Sequence, residues 1–289
     1  MATNSRPSPW RVGTTLSILL GLIAISLAGL LIPTSSRLWI WIGALILLAL
    51  FVIVLGFGIT GRWLGLLIDD RRKMSLSRFQ TVLWIVLILS AFLAAALTNL
   101  PLVSNPIDAL SIGIPPELLG ILGISMTSLA GAQLILNNKK PGQVDKNGDG
   151  TDPSDRPGWF DMFKGDDVAN ADYLDLSKVQ MFYFTIILAL VYGAALGVMF
   201  MTVDPKHPSI SAFPALNATI VGLLGISHAG YLTYKAVPRV PPSGDQPSSG
   251  LPSIASQAGA APPVTSSRSL SGAASPVSRP SRRASQPDI

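Results

Sequence analysis

Six long windows without Asp, Glu, Lys or Arg constrain the fold of this chain more than any other feature of its sequence. About 20 apolar residues in a helix cross a hydrocarbon core of roughly 30 Å. A helix also satisfies its own backbone polar groups where water is absent. We therefore predict an all-α membrane protein. Its six transmembrane spans are predicted at residues 14–33, 38–60, 79–98, 118–137, 179–201 and 215–235.

The composition favours the same class. Of the 289 residues, 49% are apolar and only 13% are charged, which is too few charges for a soluble surface of this size. The chain has no cysteine, which excludes disulfides, thiolate metal sites and cysteine nucleophiles. It also lacks a Walker loop, a dinucleotide fingerprint and the HExxH and GxSxG motifs. We therefore expect neither an enzyme nor a cofactor, and we expect the lipid bilayer as the main partner.

Lys and Arg lie almost entirely on one side of the predicted membrane. Of the 21, only Arg37 and Lys206 fall on the other side. The positive-inside rule places the basic side in the cytoplasm, so both termini are expected there. This topology accounts for the excess of base, and nucleic-acid binding is therefore not expected. Cleavage of residues 1–28 as a signal peptide stays open as an alternative, although the apolar run is long for one.

Two stretches recur about one hundred residues apart. Ser77-Arg78-Phe79-Gln80 matches Ser177-Lys178-Val179-Gln180, and ILGIS at 121–125 matches LLGIS at 223–227. Both copies start and end on the basic side, so they are expected to be parallel repeats about an axis along the membrane normal. We therefore predict an internal duplication in which spans 3 and 4 correspond to spans 5 and 6.

The chain divides into six segments on these grounds. They are a cytoplasmic tail at 1–13, spans 1 and 2 at 14–61, repeat 1 at 62–137, a polar linker at 138–158, repeat 2 at 159–237 and a basic tail at 238–289. The last segment is rich in Pro, Ser and Ala, cannot bury enough apolar surface to fold, and is expected to be disordered. Each repeat opens with a tryptophan-led interfacial segment and an acidic pair, Asp69-Asp70 or Asp166-Asp167, which we expect to be solvated.

Small residues in the later spans predict close helix packing, because they let backbones approach in lipid. The candidates are Gly120, Gly123, Gly193, Gly197, Gly222 and Gly225. We expect Gly123 and Gly225 to lie on facing sides of the fourth and sixth spans. Packing within one chain and a homo-oligomer interface are both compatible with these motifs.

A few polar side chains lie inside the predicted spans. They are Gln80, Gln180, Gln133, Ser125, Ser227 and His228. Intramembrane ionisable residues are functional candidates by default, but no Asp or Glu lies in a span centre to relay a proton. We expect the glutamines to join the two repeats and a neutral His228 to be hydrogen-bonded, with a polar pathway as the alternative.

The linker carries half of a calcium loop. Asp145, Asn147 and Asp149 fit its first positions, but Arg156 stands where the bidentate Glu would be. We expect an acidic linker rather than a metal site.

The segments LDLSKVQMFYFT and LLGISHAGYLTYK resemble those of uncharacterised bacterial polytopic membrane proteins, over roughly residues 60–237. This resemblance implies a location in the bacterial inner membrane and no activity. Two functions remain open. The first is a non-enzymatic scaffold or anchor that presents its cytoplasmic loops and tail to a protein partner. The alternative is a small channel or transporter with a path between the two repeats.

Overall fold

The computed structural model describes residues 36–148, 156–202, 206–237 and 239, together with Leu20, Gly21 and Ile23. Most of the first predicted span and the predicted disordered tail lie outside this part. Five α-helices have both ends within it, and no named β-strand occurs there. The helices are α1 (Arg37–Thr60), α2 (Leu76–Asn99), α3 (Pro116–Asn138), α4 (Leu176–Met201) and α5 (Ala218–Ala236).

Four of these helices are long and apolar enough to cross a membrane. They are α1, α2 with its 3₁₀ extension to Leu102, α3 and α4, and they coincide with the second to fifth predicted spans. The described part of the chain is therefore all-helical and has the features of a multi-pass membrane protein. Helix α5 is not one of the four, because its 19 residues include His228, Lys235 and two tyrosines.

Helix α2 lies at the centre of the bundle. It packs against α1, α3 and α4, while α5 packs against α3 and α4. Ala91, Ala94 and Ala95 on α2 are fully buried, and their small side chains permit close approach of the neighbouring helices. The helices around it bury narrower stripes. The stripe of α3 has a spacing of three and four residues and consists of Leu118, Ile121, Ser125, Ser128, Ala132 and Leu136.

Two hairpins, each leading into a helix, lie at the end of the bundle that we call the hairpin end. In hairpin 1 (residues 67–75), Ile68 is bridged to Met74; in hairpin 2 (residues 163–175), Lys164 is bridged to Leu174. The backbone N–H at 75 donates to the carbonyl at 67 at 2.9 Å, and that at 175 donates to the carbonyl at 163 at 2.8 Å. The segments for which an interfacial location is predicted contain short 3₁₀ turns at the start of or before these hairpins, Gly65–Leu67 and Trp159–Met162.

Two loops meet at the opposite end of the bundle. The N–H of Gly113 donates to the Ser211 carbonyl at 2.8 Å, and the Phe213 N–H donates to the Gly113 carbonyl at 2.9 Å, as a short parallel bridge. The side chain of Asn99 both donates to and accepts from the backbone of Ile210 at 2.8 Å. These bonds fix the loop before α3 beside the loop before α5.

Candidate functional site

A buried carboxylate, Asp166 in hairpin 2, lies at the centre of the hairpin end. Its Oδ1 accepts from Arg71 Nη1 at 2.5 Å and from Lys178 Nζ at 2.8 Å. Its Oδ2 accepts from Lys235 Nζ. The cations come from hairpin 1, the first turn of α4 and the last turn of α5, so one side chain joins three elements that are far apart in sequence.

Further contacts hold these cations in place. The Nε of Arg71 donates to Asp69 Oδ2 at 2.8 Å, while Asp69 Oδ1 accepts from the Arg71 backbone N–H at 3.0 Å. Lys235 Nζ also lies 3.0 Å from the hydroxyl oxygen of Tyr231, one turn earlier on α5. We call the group of Asp69, Arg71, Asp166, Lys178 and Lys235 the Asp166 cluster. All five residues are buried.

The Asp166 cluster contains three cations and two carboxylates, and this excess of positive charge decides the ionisation of Asp166. Burial alone would raise the pKa of Asp166, but Lys178, Lys235 and Arg71 outweigh it and hold the pKa well below its usual range. Burial lowers the pKa of Arg71, whereas Asp166 and Asp69 raise it, and the net effect is a raised pKa. Asp166 is therefore ionised at neutral pH.

The first half of the linker between α3 and α4 is attached to both hairpins. Lys139 Nζ contacts the two carboxylate oxygens of Asp167 at 2.6 and 2.8 Å, and Lys73 pairs with Asp145. Val144 is also bridged to Asp167. The backbone N–H of Asn147 donates to the Arg71 carbonyl at 3.0 Å. Residues 139–147 of the polar linker are thus held against both hairpins.

The expectation of two solvated acidic pairs is wrong for three of the four carboxylates. Asp69, Asp166 and Asp167 are buried, and only the Asp70 side chain is largely exposed. Each buried carboxylate meets a Lys or Arg that is either in the same tight turn or far away in sequence, and these contacts offset the cost of removing the charge from water. Local sequence gave no sign of the distant partners.

The residues of the half calcium loop have other contacts. Asp145 pairs with Lys73, the Asn147 amide donates to the Arg72 carbonyl at 3.0 Å, and Asp149 lies outside the described residues. Within the described part of the chain, no group of three or more His, Asp and Glu side chains is placed to share a metal ion.

The predicted intramembrane glutamines occupy three different environments. Gln80 is fully buried on α2, and its amide donates to the Met181 carbonyl at 3.2 Å and to Thr185 Oγ1 at 2.6 Å on α4. Gln180 is exposed, and Gln133 is half-buried. The matching positions of Gln80 and Gln180 in sequence therefore do not give matching contacts.

His228, Ser125 and Ser227 lie on the packed faces of α5 and α3. His228 is 3% exposed, and neither of its ring nitrogens has a hydrogen-bond partner among the described residues. The hydroxyls of Ser125 and Ser227 are also buried without a partner there. The expected hydrogen bond of a neutral His228 is therefore not formed within the described part.

The glycines divide into those at helix contacts and those on open faces. A Cβ at Gly197 would lie 3.6 Å from Trp41 on α1, and one at Gly193 would lie 3.9 Å from Leu87 on α2. A Cβ at Gly120 would lie 3.4 Å from Val221, and one at Gly225 would lie 3.5 Å from Ile124.

At Gly123 and Gly222, by contrast, a Cβ would meet nothing within 4 Å. The expectation that Gly123 faces Gly225 is therefore wrong. Helices α3 and α5 do pack together, but Gly123 lies on the exposed side of α3, and Ile124 is the residue that meets Gly225.

Comparison with protein-family models, with curated proteins and with solved structures finds no match to this chain.

Proposed function

We propose that the protein is a non-enzymatic membrane scaffold that presents a fixed polar surface to a protein partner. The observation that carries this proposal is the attachment of the linker to both hairpins, through Lys73 with Asp145 and Lys139 with Asp167. A loop held in this way offers a partner a surface of constant shape, which lowers the ordering cost of binding.

The exposed side of the attached linker has a mixed charge. Arg72, Lys140 and Lys146 are exposed there, next to the exposed carboxylate of Asp70. We call these four residues the polar platform. Charged rims of this kind set the rate and specificity of association more than its strength. In this proposal the basic tail at residues 238–289, of which only residue 239 is described, supplies a second point of attachment.

The buried pairs below the platform suit a scaffold better than a catalytic site. A buried ion pair adds little net stability compared with apolar packing, and its best-attested use is to specify one arrangement. In the Asp166 cluster every cation already contacts a carboxylate, so none is left to bind a reacting group. The cluster therefore serves to fix the two hairpins relative to each other.

The proposed arrangement in the membrane has six spans, an internal duplication and both termini in the cytoplasm of a bacterium. The equivalent backbone bonds of the two hairpins support the duplication, as does the start of α2 and α4 at Leu76 and Leu176. The small number of Lys and Arg at the end of the bundle opposite the hairpins supports the orientation. Reporters fused at residues 4 and 289 are expected to behave as internal, and one inserted at residue 104 as external.

Affinity purification of the full chain in mild detergent tests the scaffold proposal. The charge-reversed variant Lys140→Glu/Lys146→Glu is expected to lose co-purifying proteins that the wild type retains. Arg62→Glu is the matched control, because Arg62 is an exposed cation at the same end but outside the platform. A chain ending at residue 239 separates the contribution of the tail. If both platform and tail variants keep every wild-type partner, the proposal is wrong.

One observation favours a channel or transporter as a second candidate. The polar side-chain atoms of Ser125 on α3 and of Ser227 and His228 on α5 are buried without a partner among the described residues, and such groups are normally satisfied by water or a ligand. Purified protein in liposomes tests this at pH 6 and pH 8. Flux above that of empty vesicles, lost in His228→Leu, would favour transport over the scaffold. Flux equal to that of empty vesicles would exclude it.

A further inference from the structure

Three neighbouring cavities follow the first turns of α2 and extend toward the linker. The first has a volume of about 220 Å³, the second about 450 Å³ and the third about 580 Å³. Leu66 and Val82 line both the first and the second cavity, and Gln133 lines both the second and the third. The three cavities are therefore neighbours, each sharing lining residues with the next, and we call this row of cavities the path.

The first cavity is lined by apolar side chains. Its walls come from α1, α2 and the segment after α1, and include Phe79, Leu83 and Val86. Trp63 and Trp159 close it near the hairpin end, and both remain at least half exposed. Tryptophan prefers the headgroup level of a bilayer, so the cavity extends from that level toward the hydrocarbon core.

The second cavity combines apolar walls with one guanidinium group. Arg78 and Thr81 of α2 face Leu129 and Gln133 of α3 across it. The nearest carboxylate contact of Arg78 is 3.7 Å, to the exposed Asp70, and its Nε is buried without a partner among the described residues. Arg78 therefore retains N–H groups that a phosphate oxygen accepts from.

The third cavity is polar and predominantly basic. Arg71, Lys139, Lys140 and Lys146 line it, together with Asp70 and Asp145. Arg71 and Lys139 are paired with carboxylates. The carboxylate of Asp145 is paired with Lys73. Lys140 and Lys146 form no ion pair within the described part, so they supply the positive charge that is left over at this end of the path.

We propose that this path binds an anionic phospholipid, with an acyl chain in the first cavity, the phosphate at Arg78 and the headgroup beside Lys140 and Lys146. The sequence of apolar, mixed and basic walls matches the order of these parts in the lipid. The acyl chains of the bilayer are as apolar as the first cavity, so burial of one acyl chain gives a lipid little preference for the protein over the bilayer. The charged contacts supply the selectivity for an anionic headgroup.

The repeated motif gives a separate reason to single out Arg78. Arg78 and Lys178 hold the same place in S-[RK]-x-Q. Lys178 is committed to Asp166 and to the Lys164 carbonyl, whereas Arg78 has no short ion pair in the described part. The cation of the second copy is thus part of the fixed framework, and the cation of the first copy is available to a ligand.

Native mass spectrometry and thermal melting of the detergent-purified full chain test this proposal, with phosphatidylglycerol and phosphatidylcholine as the probes. Phosphatidylglycerol is expected to remain bound at higher collision energy and to raise Tm more than phosphatidylcholine does. Arg78→Gln is expected to weaken phosphatidylglycerol binding about tenfold, the loss for one charge-assisted contact. Its matched control is Arg62→Gln, an exposed arginine at the same end that lines none of the three cavities.

A second variant tests the acyl-chain site in the first cavity without changing the charge of the protein. Val86→Trp fills the first cavity and is expected to reduce the binding of long-chain phosphatidylglycerol more than that of a short-chain form. Tm without added lipid reports whether each variant is folded. Equal binding of the two lipids by the wild type would overturn the proposal. So would phosphatidylglycerol binding that is unchanged in a folded Arg78→Gln, or equally reduced in Arg62→Gln.

Discussion

Arg71 of hairpin 1 contacts Asp166 of hairpin 2 at 2.5 Å across 95 positions of sequence. The same guanidinium contacts Asp69 of its own hairpin at 2.7 Å. One side chain thereby joins the two parts of the chain that lead into α2 and α4, and the consequences of this contact can be measured.

Replacing Asp166 by Asn is expected to destabilise the folded bundle by about 3–5 kcal/mol, because it leaves three buried cations with one remaining carboxylate. The measurement is the free energy of unfolding in mixed micelles of increasing denaturing detergent. Asp70→Asn is the control, since its side chain is largely exposed, and it should change stability by no more than about 0.5 kcal/mol. Similar losses in both variants would contradict the central role of Asp166.

The dependence of folding stability on pH is expected to report the protonation of Asp166. The folded-state pKa of Asp166 is well below its ordinary value. Its contribution is therefore complete above the unfolded pKa of about 4 and is lost as pH falls through the folded-state pKa. The difference in Tm between wild type and Asp166→Asn is expected to be constant from about pH 7 to pH 5 and to shrink below about pH 4. A difference that grows on acidification would have the wrong sign.

Gln80 is expected to contribute more to stability than Gln180, although the two hold the same place in the repeated motif. Gln80→Leu removes the hydrogen bonds from α2 to Met181 and Thr185 on α4 and should cost about 0.6–2 kcal/mol. Gln180→Leu changes an exposed side chain and should cost close to nothing. Detergent melting of the two variants checks this, and equal losses would argue against the contact.

Gly197 and Gly123 offer a matched test of helix packing. Leu at Gly197 would collide with Trp41 and is expected to destabilise the bundle by about 1–3 kcal/mol through overpacking. Leu at Gly123 enters open space and should leave the melting temperature nearly unchanged. If Gly123→Leu proved the more damaging of the two, an interface with another molecule would have to cover that face of α3.

The bridge at the opposite end can be trapped covalently, because the chain has no native cysteine. A Cβ at Gly113 would lie 3.3 Å from the Ala212 Cβ, close to the separation of about 3.8 Å found in disulfides. Gly113→Cys/Ala212→Cys is expected to form an intramolecular disulfide under mild oxidation, seen as a gel shift reversed by reductant. Gly123→Cys/Gly225→Cys is the control and should stay reduced.

Hydropathy was sufficient to predict α1 to α4, because lipid imposes a minimum length of uncharged helix on each span. It also predicted α5 at 215–235, close to the observed Ala218–Ala236, but His228 and Lys235 make this helix too polar to be among the candidate membrane spans. The helix starts were also shifted: α2 begins at Leu76, before the uncharged window that opens at Phe79. A prediction based on uncharged windows omits charged residues in the first helical turn and therefore places the start of the helix too late.

The Asp166 cluster was not predicted, for a physical reason. Lys178 was interpreted as a topology signal and as part of the repeated motif, Lys235 only as a topology signal, and Asp166 only as a solvated residue. An acidic residue within a short polar segment is usually solvated. It can be buried when cations from distant parts of the chain contact it and offset the free-energy cost of removing its charge from water. The available signal was that basic residues lie at the ends of two spans, on the same side as the acidic pairs. That arrangement is compatible with a cluster but does not identify its members.

The order of synthesis gives the Asp166 cluster a further consequence. Its residues are made in the order Asp69, Arg71, Asp166, Lys178 and Lys235, so the last cation arrives only when α5 has left the ribosome. A nascent chain released before residue 235 lacks the Lys235 contact to Asp166. The complete ion cluster thus distinguishes a chain synthesised through residue 235 from prematurely terminated copies.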